Sequence, residues 1–190
     1  MVLNESILQL ELEDKWNVWF TLRDYPLVDL REVSLESGQP ISSLRRTAEY
    51  LKLMGYLDVL SGDSFRFKCS EEEVKVLKKM LEENLMRDWE FNDCHRLYCD
   101  LENYERKIIN RLVFSSSKVG VRVLMELIGS KGYFKILNFE RKLSQFSKEN
   151  GLFVPICKDK SIRRKSITFY KVCSDSFRDN MKKVIEAFKL

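Results

Sequence analysis

Ile41-Ser42-Ser43-Leu44-Arg45-Arg46-Thr47-Ala48-Glu49-Tyr50-Leu51-Lys52-Leu53-Met54-Gly55-Tyr56-Leu57 is the stretch on which the fold turns. Leu44, Ala48, Leu51 and Met54 recur at helical spacing and predict an inward face for a helix over Ser42–Met54. Ser42, Arg45, Arg46 and Glu49 share the opposite face. Gly55 stops the helix. Tyr56–Leu60, the polar turn Ser61-Gly62-Asp63-Ser64 and Phe65-Arg66-Phe67-Lys68 then predict a β-hairpin. Upstream, Asp14 is a candidate N-cap for a helix that places Trp16, Trp19 and Phe20 in the core and ends at Tyr25-Pro26. Leu27–Glu36 has the spacing of a second helix, with Gly38 at its C-terminal cap. The alternation of Leu8, Leu10 and Leu12 within Ser6–Glu13 predicts a short strand or extended arm.

Three helices, a short turn before the third and a following hairpin resemble the winged-helix family over residues 14–69. The quoted stretch is similar to that family's recognition helix and its exit into the wing. The resemblance implies a third helix in the major groove and a wing on the backbone. It directs Ser42, Ser43, Arg45 and Arg46 toward double-stranded DNA, with Arg66 and Lys68 near the wing. An arginine fork suits that task because it can meet two acceptors on guanine. Glu49 shares the face of Arg45 and the surrounding half is acidic, so a protein–protein module is the alternative for this copy.

The charge is unevenly spread. Residues 1–100 carry 13 Lys and Arg against 20 Asp and Glu, a balance of −7, whereas residues 101–190 carry 20 against 9, or +11. A polyanion facing the second half accounts for this, and attraction between the two halves is the alternative. The 190 residues are 44% hydrophobic and suffice for one large or two small domains. No apolar run approaches the roughly 18 residues of a membrane span, and no signal-like N-terminus is visible. Five irregularly spaced cysteines suit reduced thiols in a cytoplasmic protein.

In the middle of the chain, Ser70-Glu71-Glu72-Glu73 has the form of a capping box opening a helix to about Asp88. Val74, Leu77, Leu81 and Leu85 form one stripe. A second helical stretch, Asp93–Val113, carries Leu97, Leu101, Tyr104, Ile108 and Leu112. These narrow stripes predict a helical connector over 71–114 that holds a homodimer together, or else packs on its own chain. Cys94, His95 and Cys99 lie close together, but the chain has a single histidine and its other cysteines are scattered, so no zinc set is assembled.

In the basic part, Ser115-Ser116-Ser117 caps a predicted helix over Lys118–Ile128. Tyr133–Asn150 has helical spacing with Phe139, Leu143 and Phe146 inward, and Asn138, Arg141, Lys142, Gln145 and Lys148 on the outer side. Leu152–Cys157 and Ser166–Cys173 predict a hairpin around a basic loop, Lys158–Lys165, and a last helix runs over Phe177–Phe188. This order is similar to a second winged helix over 115–175, with its second helix compressed into Tyr133–Ile136. Lys158, Lys160, Arg163, Arg164, Lys165 and Lys171, with Arg141, Lys142 and Lys148, would track a phosphate backbone. Tyr133, Phe134 and Tyr170 are expected in the core; as exposed rings they would suit RNA stacking. Cys157 and Cys173 fall opposite one another, reduced or cross-linked.

No dinucleotide fingerprint, phosphate loop, kinase motif or serine elbow is present, so no enzyme, cofactor or metal is expected. The expected class is mainly α with small β-hairpins: a winged helix at 1–70, a connector at 71–114 and a basic winged-helix-like domain at 115–190. The expected function is sequence-specific transcriptional regulation on double-stranded DNA. The alternative is a double winged-helix adaptor whose acidic half binds a protein in a chromosome-maintenance or transcription complex.

Overall fold

Trp16, Trp19 and Phe20 are buried with ring centroids 5.2 to 6.1 Å apart, as their helical spacing predicts. They anchor the first of two units, Met1–Arg87 and Asp88–Leu190, in a computed structural model that describes residues 2–160 and 168–190. The first unit comprises α1 (Val2–Leu8), α2 (Leu12–Leu22), β1 (Leu27–Asp29), α3 (Leu30–Ser37), α4 (Ile41–Leu53), β2 (Leu57–Ser61), β3 (Ser64–Phe67) and α5 (Glu71–Leu85). The second comprises α6 (Phe91–Asp100), α7 (Asn103–Val113), β4 (Val119–Gly120), α8 (Val121–Ile128), α9 (Gly132–Asn150), β5 (Ile156–Lys160), β6 (Thr168–Val172) and α10 (Asp175–Phe188). The fold is mainly helical with two small antiparallel sheets. No helix among the described residues is long and apolar enough to cross a membrane.

The two units repeat one order: helix, helix, strand, helix, helix, strand, strand, helix. Each sheet places its last strand in the middle, as β1-β3-β2 and β4-β6-β5. Phe65 lies opposite Val28 and Val59; Tyr170 lies opposite Val119 and Lys158. The residues after these rings, Arg66 and Lys171, therefore occupy equivalent outward positions.

The helices before the hairpins match residue by residue. Gly55 (φ 83°) and Gly151 (φ 60°) adopt the left-handed conformation that ends each helix. Just beyond them, the Tyr56 amide donates to the Leu51 carbonyl and the Leu152 amide to the Ser147 carbonyl, both at 2.8 Å. Counting back from the glycines aligns Ser42 with Asn138, Leu44 with Glu140, Arg45 with Arg141, Arg46 with Lys142 and Glu49 with Gln145. Burial follows the alignment, since Leu44, Thr47, Ala48 and Leu51 match buried Glu140, Leu143, Ser144 and Ser147. α9 has 19 residues against 13 in α4, and five of the extra residues lie at its N-terminal end.

Several sequence expectations are corrected. Ser6–Glu13 is not a strand: its leucine alternation straddles the end of α1 and the start of α2. α2 begins before Asp14, with Glu11 at the cap position. Leu27–Asp29 pairs with β3, so the expected helix over Leu27–Glu36 starts only at Leu30, where the Asp29 carboxylate accepts the Arg31 and Glu32 amides. Asp93–Val113 is broken into two helices by a capping box between Glu102 and Glu105. Val119-Gly120 is a strand, so α8 starts at Val121 with no serine cap. Tyr133–Ile136 belongs to the first turns of α9, and the second copy of the repeat includes α7 instead of beginning at 115.

The expected connector 71–114 is likewise divided at Arg87, because α5 packs on α2 while α6 and α7 build the second core. Val74, Leu77, Leu81 and Leu85 are buried in the first unit; Leu97, Leu101, Ile108 and Leu112 are buried in the second. The stripes expected to form a dimer seam are thus already covered by their own units. Periodicity reveals an apolar face but not what covers it.

Of the two states open to Cys157 and Cys173, the structure contains the disulfide. It closes the root of the β5–β6 hairpin across a separation of 16 residues, beside the bond from the Cys173 amide to the Pro155 carbonyl. A loop of that size corresponds to about 3 kcal/mol of stabilisation. Denaturant unfolding of C157S/C173S should show a loss near that figure, and reductant should bring the wild type down to the variant. Equal stability of the oxidised wild type and the variant would contradict this contribution.

Candidate nucleic-acid interface

In the first unit the recognition-like helix α4 presents Ser42 to solvent, and half-buried Ser43 accepts a 2.8 Å hydrogen bond from the buried Asn17 amide. Arg45 is engaged. Its Nε donates to one oxygen of Asp63 at 2.8 Å and its Nη2 to the other at 2.9 Å, while Arg31 Nε adds a contact at 3.4 Å. Asp63 lies in the turn between β2 and β3, and its backbone carbonyl accepts the Leu30 amide at 3.0 Å. The hydrogen bond from Arg45, together with the charges of Arg45 and Arg31, holds the Asp63 carboxyl down at about 2. The same carboxylate raises the Arg45 pKa. Arg46 makes an exposed ion pair with Asp14 at 3.3 Å. The fork that the family resemblance directs to guanine is therefore occupied by a carboxylate.

In the second unit the equivalent Arg141 is exposed. It donates to the Asn138 side chain at 3.0 Å and has no carboxylate partner among the described residues. Asn138, Gln145 and Lys171 are exposed as well, and Lys148 is half-buried. Two of the expected cations are held inside the unit instead. Lys142 Nζ lies 2.6 Å from the buried Glu105 carboxylate and 3.3 Å from the Asp100 carbonyl. Lys158 Nζ lies 3.4 Å from Glu140, with side chains 8% and 6% exposed. Lys158 faces inward because it stands opposite Tyr170 in the sheet, 5.9 Å from that ring. The Lys160 side chain and Arg163, Arg164 and Lys165 lie outside the described residues.

The structure thus brings Asn138, Arg141 and Gln145 together on one exposed helical face, and places Lys171 on the outward side of β6. It takes Lys142 and Lys158 out of that surface. Sequence reasoning also passed over exposed Arg122 and Lys131, and over a doublet of rings. Tyr170 is buried as expected, but Tyr133 and Phe134 are 56% and 68% exposed. The signal available is their place off the inward stripe: Phe139, Leu143 and Phe146 mark one side of the helix, and Ile136 extends that side, not Tyr133 or Phe134.

Two outcomes follow. In carboxylate-resolved NMR, Asp63 should titrate near 2 in the wild type and move most of the way to the ordinary ~3.9 in R45Q. Because its folded value is depressed, the pair contributes above the unfolded value and is lost as pH falls through the folded one. The ion pair Glu140–Lys158 occupies the positions of Leu44 and Val59 in the first unit. K158V alone should cost about 3 kcal/mol or more, since a buried carboxylate loses its cation, and E140L/K158V should recover most of that loss in denaturant unfolding.

No family model matches the chain, and no curated protein or solved structure matches it.

Proposed function

We propose that this chain is a DNA-binding protein of winged-helix type, a sequence-specific transcriptional regulator that acts by occupancy, with its second unit as the reader. One contrast carries this reading. Arg45 and Arg141 hold equivalent places on equivalent helices, yet Arg45 is forked onto Asp63 while Arg141, among the described residues, has an asparagine partner and no carboxylate. Charge runs the same way. Divided at Arg87, the first unit has 12 Lys and Arg against 16 Asp and Glu, a balance of −4, and the second has 21 against 13, or +8. Phosphate contacts by Lys171 and the basic hairpin would set affinity and register, and Asn138, Arg141 and Gln145 would meet base edges.

The Arg45–Asp63 pair also favours a second reading for the first unit alone. A recognition-like helix whose arginine is neutralised within an acidic surface suits a protein partner, and the whole chain would then be an adaptor.

Salt-titrated binding of the full chain to a random duplex pool, with sequencing of what is retained, separates these outcomes. An enriched motif supports the regulator; salt-sensitive binding without enrichment supports the adaptor; no binding at low salt refutes both uses of DNA. K171E should weaken binding to every duplex and flatten the slope of log K against log salt by roughly 1, about 0.9 per lost phosphate contact, whereas R141Q should weaken the enriched motif more than other duplexes. R45Q should stay within about threefold of wild type, because that side chain is already committed to Asp63.

A further inference from the structure

α9 outruns its counterpart α4 by five residues at its N-terminal end, 132–136, and that extension carries Tyr133 and Phe134. The two rings are 56% and 68% exposed and stand edge-to-face at 6.2 Å. Core packing does not account for them. Within the extension the core side is Ile136, which is buried, and Gly132, where a Cβ would come within 3.1 Å of the Met125 backbone. That close approach fixes the first turn of α9 against α8 while both rings point to water. Large rings left exposed side by side mark a contact surface.

The surroundings indicate the occupant. No acidic residue occurs between Glu126 and Glu140, whereas Lys131 and Lys135 flank the rings. Among the described residues no side chain caps α9, where Lys131 occupies the cap position, so no side chain competes with an anion for the first-turn amides. Phe134 also heads a helical stripe, since Asn138, Arg141 and Gln145 follow it at four, seven and eleven residues. An apolar protein segment would gain nothing from that polar and cationic continuation, but a nucleic acid strand needs both parts.

We propose that the N-terminal end of α9 is a stacking platform for unpaired bases, so that this unit holds single-stranded nucleic acid at one end of the surface it would present to duplex. The inference rests on the nucleic-acid-binding reading above and extends it to a second substrate class. Base planes lie on Tyr133 and Phe134, while Lys131 and the uncapped amides meet the adjoining phosphates.

The test is fluorescence anisotropy of the full chain on a labelled 15-nucleotide oligo-dT and on a labelled 20-base-pair duplex at matched salt. Y133A/F134A should lose roughly 10- to 100-fold in single-strand affinity, given the usual worth of base–aromatic stacking. Duplex affinity should stay within about threefold, and F134W should bind single strands as wild type does. F134A alone, tested beside the pair, guards against a folding defect in the double variant. Unchanged single-strand affinity in both alanine variants overturns the platform. So does a wild type that binds duplex but not oligo-dT, or a double variant whose change is lost self-association, which would give the rings to a protein contact. A wild type that binds neither probe instead removes the nucleic-acid reading itself.

Discussion

Pairing of the central strand governs each unit. β3 and β6 each bond a partner on both sides; β3 directs Phe65 and Phe67 into the core and β6 directs Tyr170 there. Strand periodicity then leaves no choice for the adjoining residues. Arg66 and Lys171 must face outward, while Lys158, opposite Tyr170, must face inward. A slip of one residue would expose the ring and bury Lys171. The short strands β1 and β4 exist only because the central strand pairs with them, and α3 and α8 start directly after them. Sheet register thus fixes both the helix starts and the side of the hairpin on which charge can meet a partner.

On that shared frame the two units have diverged in chemistry. Leu44 is matched by Glu140, and Val59 by Lys158, so apolar residues in one copy become a buried ion pair in the other. Ion pairs of this kind rarely add stability beyond what apolar side chains supply, because desolvation offsets the attraction. Lys158–Glu140 is therefore better understood as a constraint on arrangement: it ties α9 to β5 at a defined place. In the first unit the tie between helix and hairpin is made on the surface, by Arg45 and Asp63, and it takes up the side chain that Arg141 leaves available.

How much of this was legible depended on whether the deciding contact was local. The hairpin after Gly55, the Ser70–Glu73 capping box and the tryptophan anchors were readable, since each is fixed within a few residues. Strands of two or three residues were not, because Val28 and Val119 become strand only by meeting Phe65 and Tyr170 far along the chain. Charge composition identified the basic part but could not separate Arg141 from Lys142. The carboxylate that neutralises Lys142 is Glu105, 37 residues away and itself held by the opening of α7. The ring doublet differs for another reason: size and apolarity predict burial, but the side of α9 that meets the core runs through Ile136, Phe139 and Leu143 and leaves Tyr133 and Phe134 exposed.

The root of the second hairpin shows what kind of surface this arrangement permits. Arg178 donates to the carbonyls of Val113 and Ser115 at 2.8 Å and to that of Val172 at 3.3 Å, gathering the ends of α7 and β6. The disulfide closes the same root from β5. Arg178, Lys158 and Lys142 are thus bonded to carbonyls and carboxylates within this unit and act as struts. Arg141, Lys171 and Lys131 lie exposed on elements those struts hold still. Exposed charge on elements tied in this way loses less backbone freedom on meeting a charged polymer. In the acidic first unit, which has the same order of elements, Arg45 and Arg31 are answered by Asp63 and Arg46 by Asp14.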